Sequence, residues 1–366
     1  MNPLFTFLPL FLLIPYLGTI GLFYFGWLRL RKPEDPPEWP KVSILIAARN
    51  EAHHLPDLLH DLMKVDYPKE CLEIIIADDH SSDETAKVAS SFAGIKVIQP
   101  DGKQFSFEGK KEALKSIVKI STGEIILFTD ADCRVKPGWV KAMVAPFAQP
   151  QIHMVAGPVT LDGNPLMELE FLSLAGSTGG SIGAGLPIMS NGASLAFRRD
   201  TWLHLSSIAF GNQLSSGDDV FMMMAVIKHK GNSSVAWCHA KEAIVNTPAP
   251  ETLREFFMQR LRWAGKSGHY TYWPSKIVAM VVFFTNLIFF LSILALITGI
   301  AKPFFLIFLL KSIPDFLLLW DVSGFFGKRR LLWNFLPLQF LYPLYVTAVT
   351  VGTLFLKPQW KERQVR

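Results

Sequence analysis

Hydrophobic positions follow different rhythms in different parts of the chain. Over 4–28 nearly every residue is apolar or aromatic, with no polar stripe. From 42 to about 250, short apolar runs alternate with stretches of helical spacing, and from 277 long apolar runs return. A helix over 4–28 would rise about 37 Å, enough to cross a bilayer with some tilt. A removable secretion signal is the alternative, but no basic residue precedes the run and no small-residue cleavage pattern follows it. Arg29, Arg31 and Lys32 come directly after and, by the positive-inside rule, place the next segment in the cytosol and the N-terminus outside. Pro33, Pro36, Pro37 and Pro40 make 31–41 a stiff, non-helical linker.

The middle of the chain reads as α/β. Residues 42–47 form a buried-type strand, and 51–63 a helix with Leu55, Leu58, Leu59 and Leu62 on one face. A second strand over 72–77 runs into Asp78-Asp79-His80-Ser81-Ser82-Asp83, whose polar side chains can cap a helix over about 84–92. A strand over 95–99, a helix over 110–120 and a strand over 124–129 complete an alternation that implies parallel pairing and a mononucleotide-binding half. Beyond it the spacing predicts a short helix over 139–147, strands over 155–161 and 194–197, a helix opened by Gly217-Asp218-Asp219, and another over 252–267. The small residues of 176–185 fit either an acceptor-side loop or close helix packing.

The last hundred residues return to apolar sequence. Residues 277–300 and 331–356 are long enough to span, whereas 304–320 is shorter and broken by Lys311, Pro314 and Asp315. Lys328, Arg329 and Arg330 form a basic turn, and Lys357, Lys361, Arg363 and Arg366 a basic tail. Both cannot be cytosolic if 331–356 crosses once. A half-inserted or interfacial segment over 304–320 with a cytosolic tail is the expectation.

Composition points the same way. Half the residues are apolar, 18% are charged and the mean hydropathy is +0.28, against roughly 25% charged in an average soluble protein. The net charge of +5 suits anionic lipid or nucleotide phosphates, but no basic stripe with interleaved aromatics suggests nucleic acid. Cys71, Cys133 and Cys238 lack disulfide or zinc-ligand spacing and fit a reducing cytosolic domain.

Candidate chemistry gathers at strand ends. The run over 125–129 stops on Asp130-Ala131-Asp132, and hard oxygen ligands at a sheet edge suit Mg²⁺ or Mn²⁺ carrying a diphosphate. No GxGxxG or Walker lysine loop precedes it, so carboxylates and a metal are the available means of holding phosphate. Asp218 and Asp219 exceed what a helix cap needs, although capping is the plain alternative. Gln259 and Arg262 share a helix face beside Trp263, on a helix that also fits a basic membrane-surface role. His239 is a lesser metal candidate. Lys110 and Lys111 fit a phosphate contact or a solvated face and stay outside the expected site.

Taken together, the Asp78–Asp83 segment, Asp130-Ala131-Asp132, Gly217-Asp218-Asp219 and Gln259-Arg260-Leu261-Arg262-Trp263 resemble the membrane-bound family 2 glycosyltransferases with a GT-A fold. The last is their Gln-Xaa-Xaa-Arg-Trp signature and the most specific of the set. Trp360-Lys361-Glu362-Arg363 is similar to a Trp-Lys-Xaa-Arg ending of lipid-modifying members, where it is cytosolic. The resemblance implies a Rossmann-like mixed sheet with transmembrane helices at both ends. It implies that Asp78 or Asp79 accepts from the imide N–H of uracil, with Ala47, Arg49 and Glu51 against the same nucleotide. Asp130 would reach the ribose or sugar, and Asp132 would hold Mg²⁺ or Mn²⁺. Asp219 would be the general base, while Asp218 departs from the glutamate common at its place. Gln259, Arg262 and Trp263 would close over diphosphate and acceptor.

The expected organisation is a transmembrane helix over 1–30, the linker over 31–41, a GT-A catalytic domain over 42–250, an amphipathic interfacial helix over 251–276, and membrane segments with a basic tail over 277–366. The expected activity is inverting transfer from a nucleotide-diphosphate sugar, UDP-linked, to a lipid acceptor at the cytosolic face of a bacterial-type inner (plasma) membrane. A processive polysaccharide synthase is the enzymatic alternative, and a membrane scaffold or sugar-nucleotide sensor the non-enzymatic one.

Overall fold

The computed structural model describes residues 3–100, 109–210, 217–297, 302–356, 359–360 and 363–364. In chain order it forms α1 (Pro3–Arg29), β1 (Val42–Ala48), α2 (Leu55–Leu62), β2 (Leu72–Asp78), α3 (Thr85–Ser90), β3 (Ile95–Ile98), α4 (Lys110–Ile120) and β4 (Ile125–Asp130). There follow α5 (Trp139–Val144), β5 (Met154–Ala156), β6 (Val159–Asp162), α6 (Pro165–Gly183), β7 (Leu195–Arg198), α7 (Arg199–Ala209), α8 (Asp218–Lys230), β8 (Val235–Trp237) and β9 (Val245–Pro248). Helices α9 (Leu253–Ala264), α10 (Trp273–Ile297), α11 (Lys302–Phe325) and α12 (Phe335–Phe355) come next, then a two-residue pairing of Gln359–Trp360 with Arg363–Gln364. Lys357, Lys361 and Arg366 of the expected basic tail lie outside the described residues. The chain divides into two compact units. One holds Arg31–Asp162 and Met189–Pro248, the other Met1–Leu30, Gly163–Ile188 and Ala249–Val365.

The first unit is built on a mixed sheet of order β3-β2-β1-β4-β7-β5-β8. Its β3-β2-β1-β4 half is parallel, and β7 runs antiparallel to both β4 and β5. Leu55, Leu58, Leu59 and Leu62 of α2 are all buried, as their spacing predicts. At the N-terminal edge of the sheet, Glu73 on β2 accepts from Ser43 Oγ on β1 at 2.5 Å and from Thr122 N and Oγ1, just before β4, at 2.5 and 3.0 Å. One carboxylate thus ties the central strands in register. The single strand expected over 155–161 is instead β5 and β6, separated at Gly157-Pro158. Proline has no N–H for the ladder, and a Cβ at Gly157 would lie 2.1 Å from Ser194 Oγ, so the chain turns there and β6 pairs with β9 away from the main sheet.

The second unit is helical. The stretch expected as an acceptor-side loop or close packing over 176–185 is the end of α6, and the loop alternative is overturned. A Cβ at Gly26 on α1 would lie 2.0 Å from the Gly180 oxygen, and one at Gly180 would lie 2.3 Å from the Phe23 oxygen. Only glycines let the α1 and α6 backbones meet this closely. The segment expected to be broken over 304–320 lies within the single helix α11, which passes through Pro314. Its charges are answered internally: Lys311 Nζ donates to Asp315 at 2.8 Å and to Gln339 of α12 at 3.0 Å, while Tyr16 of α1 donates to Asp315 at 2.6 Å. Within the described residues, 273–296 and 329–355 are long and apolar enough to cross a membrane.

Candidate active site

The register of the parallel strands decides where the acids stand. Ala47 on β1 pairs with Ala77 on β2 and with Asp130 on β4, and Ala48 pairs with Asp78. Asp78 and Asp130 therefore flank the small side chains at the end of β1, on the C-terminal edge where open α/β sheets bind ligands.

Beyond β1 and β2 the chain enters two interlaced loops. Asp79 N donates to the Ala48 oxygen at 2.8 Å, Arg49 Nη1 to the Asp79 oxygen at 2.9 Å, and Glu51 N to Thr85 Oγ1 at 2.8 Å. Asn50 and His80 hold φ of 52° and 55° at the matching positions of the two loops, left-handed backbone that a non-glycine residue adopts only when its surroundings fix it. Asp78 is fully buried. Gln99 donates to its Oδ2 at 3.0 Å, and its Oδ1 has no hydrogen-bond partner among the described residues. A buried acceptor of this kind fits a ligand donor.

At the end of β4, the Lys110 ammonium donates to Asp130 Oδ1. Burial alone would lower the Lys110 pKa, but Asp130, Asp218 and Asp219 hold it charged and raise the value above the ordinary lysine range. Lys110 thus gathers the strand acid and both helix acids around one cation. Asp132 is pushed up to about 6, first by burial and then by the Asp130 and Glu51 carboxylates, with Lys110 pulling the other way. Gly217, at φ 90°, turns the chain into α8 so that Asp218 and Asp219 open the helix. Asp219 Oδ1 accepts from Val220 N at 2.8 Å. A recess beside these acids is lined by Lys110, Gly192, Asp218 and Asp219 on its polar side and by Phe128 and Trp202 on its apolar side.

Crowded carboxylates of this kind suit a divalent cation. Among the described residues no group of three or more His, Cys, Asp or Glu could hold a metal unaided. Mg²⁺ needs no such cage, since one or two carboxylates with substrate phosphates and water complete its shell. The donor set fits a cation that arrives with a diphosphate. His239 joins no metal-competent group among the described residues, and burial together with the Arg31 charge lowers its pKa.

Gln259, Arg262 and Trp263 stand on α9 of the helical unit, all partly buried. Arg260 between them is 3% exposed and forks onto Glu170 of α6, with Nε to Oε1 at 3.2 Å and Nη2 to Oε2 at 2.5 Å. Sequence reasoning left out Lys110 and Glu170. Lys110 carries no motif beyond a preceding glycine, and Glu170 lies in an apolar helix where nothing local marks its partner.

A mixed sheet whose parallel half ends in carboxylates defines a GT-A-like α/β fold of the kind that handles nucleotide-linked sugars. The profile described as "Glycosyl transferase family group 2" matches residues 125–355 and that of "Glycosyl transferase family 2" residues 43–173. With well over half its length matched, the chain belongs to the family 2 glycosyltransferases, and the non-enzymatic alternative falls away. It is 33% identical over 120 residues to a beta-monoglucosyldiacylglycerol synthase of Trichormus variabilis, a match covering 32% of this chain and 25% of that one. It is 25% identical over 279 residues to a poly-beta-1,6-N-acetyl-D-glucosamine synthase of Staphylococcus epidermidis, covering 72% of this chain and 64% of that one. The matched stretch thus spans about a quarter of the first of these relatives. In fold it is similar to a mannosyltransferase of Pyrobaculum calidifontis solved with GDP-mannose and Mn²⁺, with a TM-score of 0.57, 18% identity, and 95% of this chain and 98% of that one covered.

Proposed function

We propose that this enzyme moves a sugar from a UDP-linked donor to a lipid acceptor at the cytosolic face of a membrane, with inversion at the anomeric carbon. The observation that carries the reading is the gathering of Asp130, Asp218 and Asp219 around Lys110, beside Asp132, at the edge of the sheet. Asp78 has one unanswered oxygen, which matches the single imide N–H of uracil better than the paired donors of guanine. Ala47 leaves room for the nucleotide, while Arg49, Glu51 and Asp79 border it. Asp132, with Asp130 near the sugar, would hold Mg²⁺ or Mn²⁺, which when bound neutralises charge on the leaving diphosphate. Asp219 takes the proton of the acceptor hydroxyl as that oxygen bonds to the anomeric carbon and the nucleoside diphosphate departs with the electron pair. Asp218 shapes the acceptor side. Gln259 and Arg262 donate to the diphosphate, and Trp263 gives the acceptor an apolar wall.

The lipid acceptor is supported by the glucosyldiacylglycerol synthase relative and by α10, whose Ile277, Met280, Phe284 and Leu291 are exposed. Apolar side chains exposed along a helix this long suit hydrocarbon. A processive polysaccharide synthase is the second reading, favoured by the wider match to the S. epidermidis relative. Detergent-solubilised protein incubated with a panel of sugar nucleotides and native lipid extract, then examined by mass spectrometry, separates them. A single-sugar glycolipid from a UDP-sugar is expected, and a polymer ladder would favour the second reading. In the same assay Asp219→Asn should lower transfer by at least about 100-fold while donor binding stays near wild type. Unchanged turnover would remove Asp219 as the base.

A further inference from the structure

Arginine carries only donors. Its Nη1 at Arg260 donates to Oε1 of Gln259, so the Gln259 carbonyl is occupied and its NH₂ is turned away from the guanidinium. The same guanidinium lies over the Trp263 ring, 4.3 Å from the centroid, and over the Phe256 ring at 4.4 Å. It is fixed in turn by the forked pair with Glu170, whose side chain is 2% exposed, and Tyr345 of α12 donates to Glu170 Oε1 at 3.1 Å. A single buried carboxylate therefore sets one arginine, and that arginine sets both an amide and an indole of the Gln-Xaa-Xaa-Arg-Trp segment.

We propose that Glu170 is a positioning residue for glycosyl transfer: through Arg260 it locks the Gln259 carboxamide with its carbonyl on the guanidinium, leaving the NH₂ side as the one able to donate to phosphate, and holds the Trp263 indole in place. This rests on the reading that Gln259 meets the diphosphate. Without the lock the amide is free to rotate by half a turn and offer its carbonyl oxygen to a phosphate, exchanging a donor for a repelling acceptor. A buried ion pair adds little net stability compared with apolar residues of the same volume. Its worth here lies in orientation, because a guanidinium meets two acceptors and a ring in one fixed plane.

The test uses full-length protein in detergent, with donor kinetics and thermal unfolding measured on each variant. Arg260→Lys keeps a cation opposite Glu170, but one ammonium cannot fork between that carboxylate and the Gln259 carbonyl while stacking on Trp263. Expected is an unfolding temperature near that of wild type with kcat/KM for the donor lowered about 10- to 100-fold. The paired variant Glu170→Leu with Arg260→Met removes both charges and leaves none unanswered, and should show the same loss. Wild-type kinetics in a folded Arg260→Lys or in the paired variant would overturn the proposal. Gln259→Ala separates the two levels: if it alone keeps full turnover, the diphosphate role of Gln259 fails. If Gln259→Ala loses turnover and Arg260→Lys does not, only the positioning role of Glu170 fails. In the Gln259→Ala background, Arg260→Lys should cost less than in wild type, whereas fully additive losses would mark the pair as merely structural and sink the proposal.

Discussion

Asp132 and Glu73 are carboxylates in one domain with opposite electrostatic fates. Burial and the neighbouring Asp130 and Glu51 push Asp132 up to about 6, against the pull of Lys110. Removing the side chain should weaken donor binding only when a divalent cation is present. Asp132→Ala is expected to lose about 10- to 100-fold in Mn²⁺-dependent UDP affinity by calorimetry, and equal affinity of the wild type with and without chelator would take the metal out of the mechanism. Glu73 moves the other way. Burial would raise its pKa, but hydrogen bonds from Ser43, Thr122 and Gly123 outweigh it and hold the carboxyl below its ordinary value. A lowered folded-state pKa gives stability that is complete above the unfolded value, about 4.3, and that disappears as pH falls through the folded value. Glu73→Gln should therefore unfold more easily at pH 7 by about 1–3 kcal/mol, with the gap to wild type closing below about pH 4 in denaturant titrations.

Among the elements, α6 depends most on residue size. Gly180 faces the α1 backbone with no room for a Cβ, so Gly180→Leu should cost at least about 1–3 kcal/mol and lower the thermal midpoint in detergent, while Gly21 on α1, with open space around it and no positive φ, serves as the control for glycine loss. The α/β core was legible because its signals are local: β1, β2 and α4 show buried runs and helical spacing that no distant contact has to supply. The nearly apolar α6 was not, because a run of glycine, serine and threonine has the composition of a loop until a second helix closes on it. Proline and glycine at 157–158 did mark a break, but the flanking apolar residues outweighed them. Lys110 and Glu170 were missed because each is defined by partners far along the chain. The acid motifs, by contrast, stood out because a strand end is a local feature. What their register with β1 adds is that Asp78 and Asp130 share one edge.

At the scale of the whole molecule, one buried polar set ties several helices together. Lys311, Asp315, Gln339 and Tyr16 join α1, α11 and α12 through mutual hydrogen bonds. Lys311→Met leaves Asp315 without its cation among apolar helices and should destabilise by about 3–5 kcal/mol. A second substitution, Asp315→Leu, should restore most of it, as read by thermal unfolding in detergent.

The close meeting of Gly26 with Gly180 also has a consequence in time. Roughly 150 residues separate the partners, and at about 5–20 residues per second the ribosome needs some 8 to 30 seconds to supply the second after the first. During that interval the notch on α1 waits for Gly180, and the α/β stretch up to β6 is synthesised. The first helix must therefore persist on its own apolarity, and the helical unit closes only after most of the catalytic sheet has been made. Its assembly therefore comes late relative to the synthesis of α1.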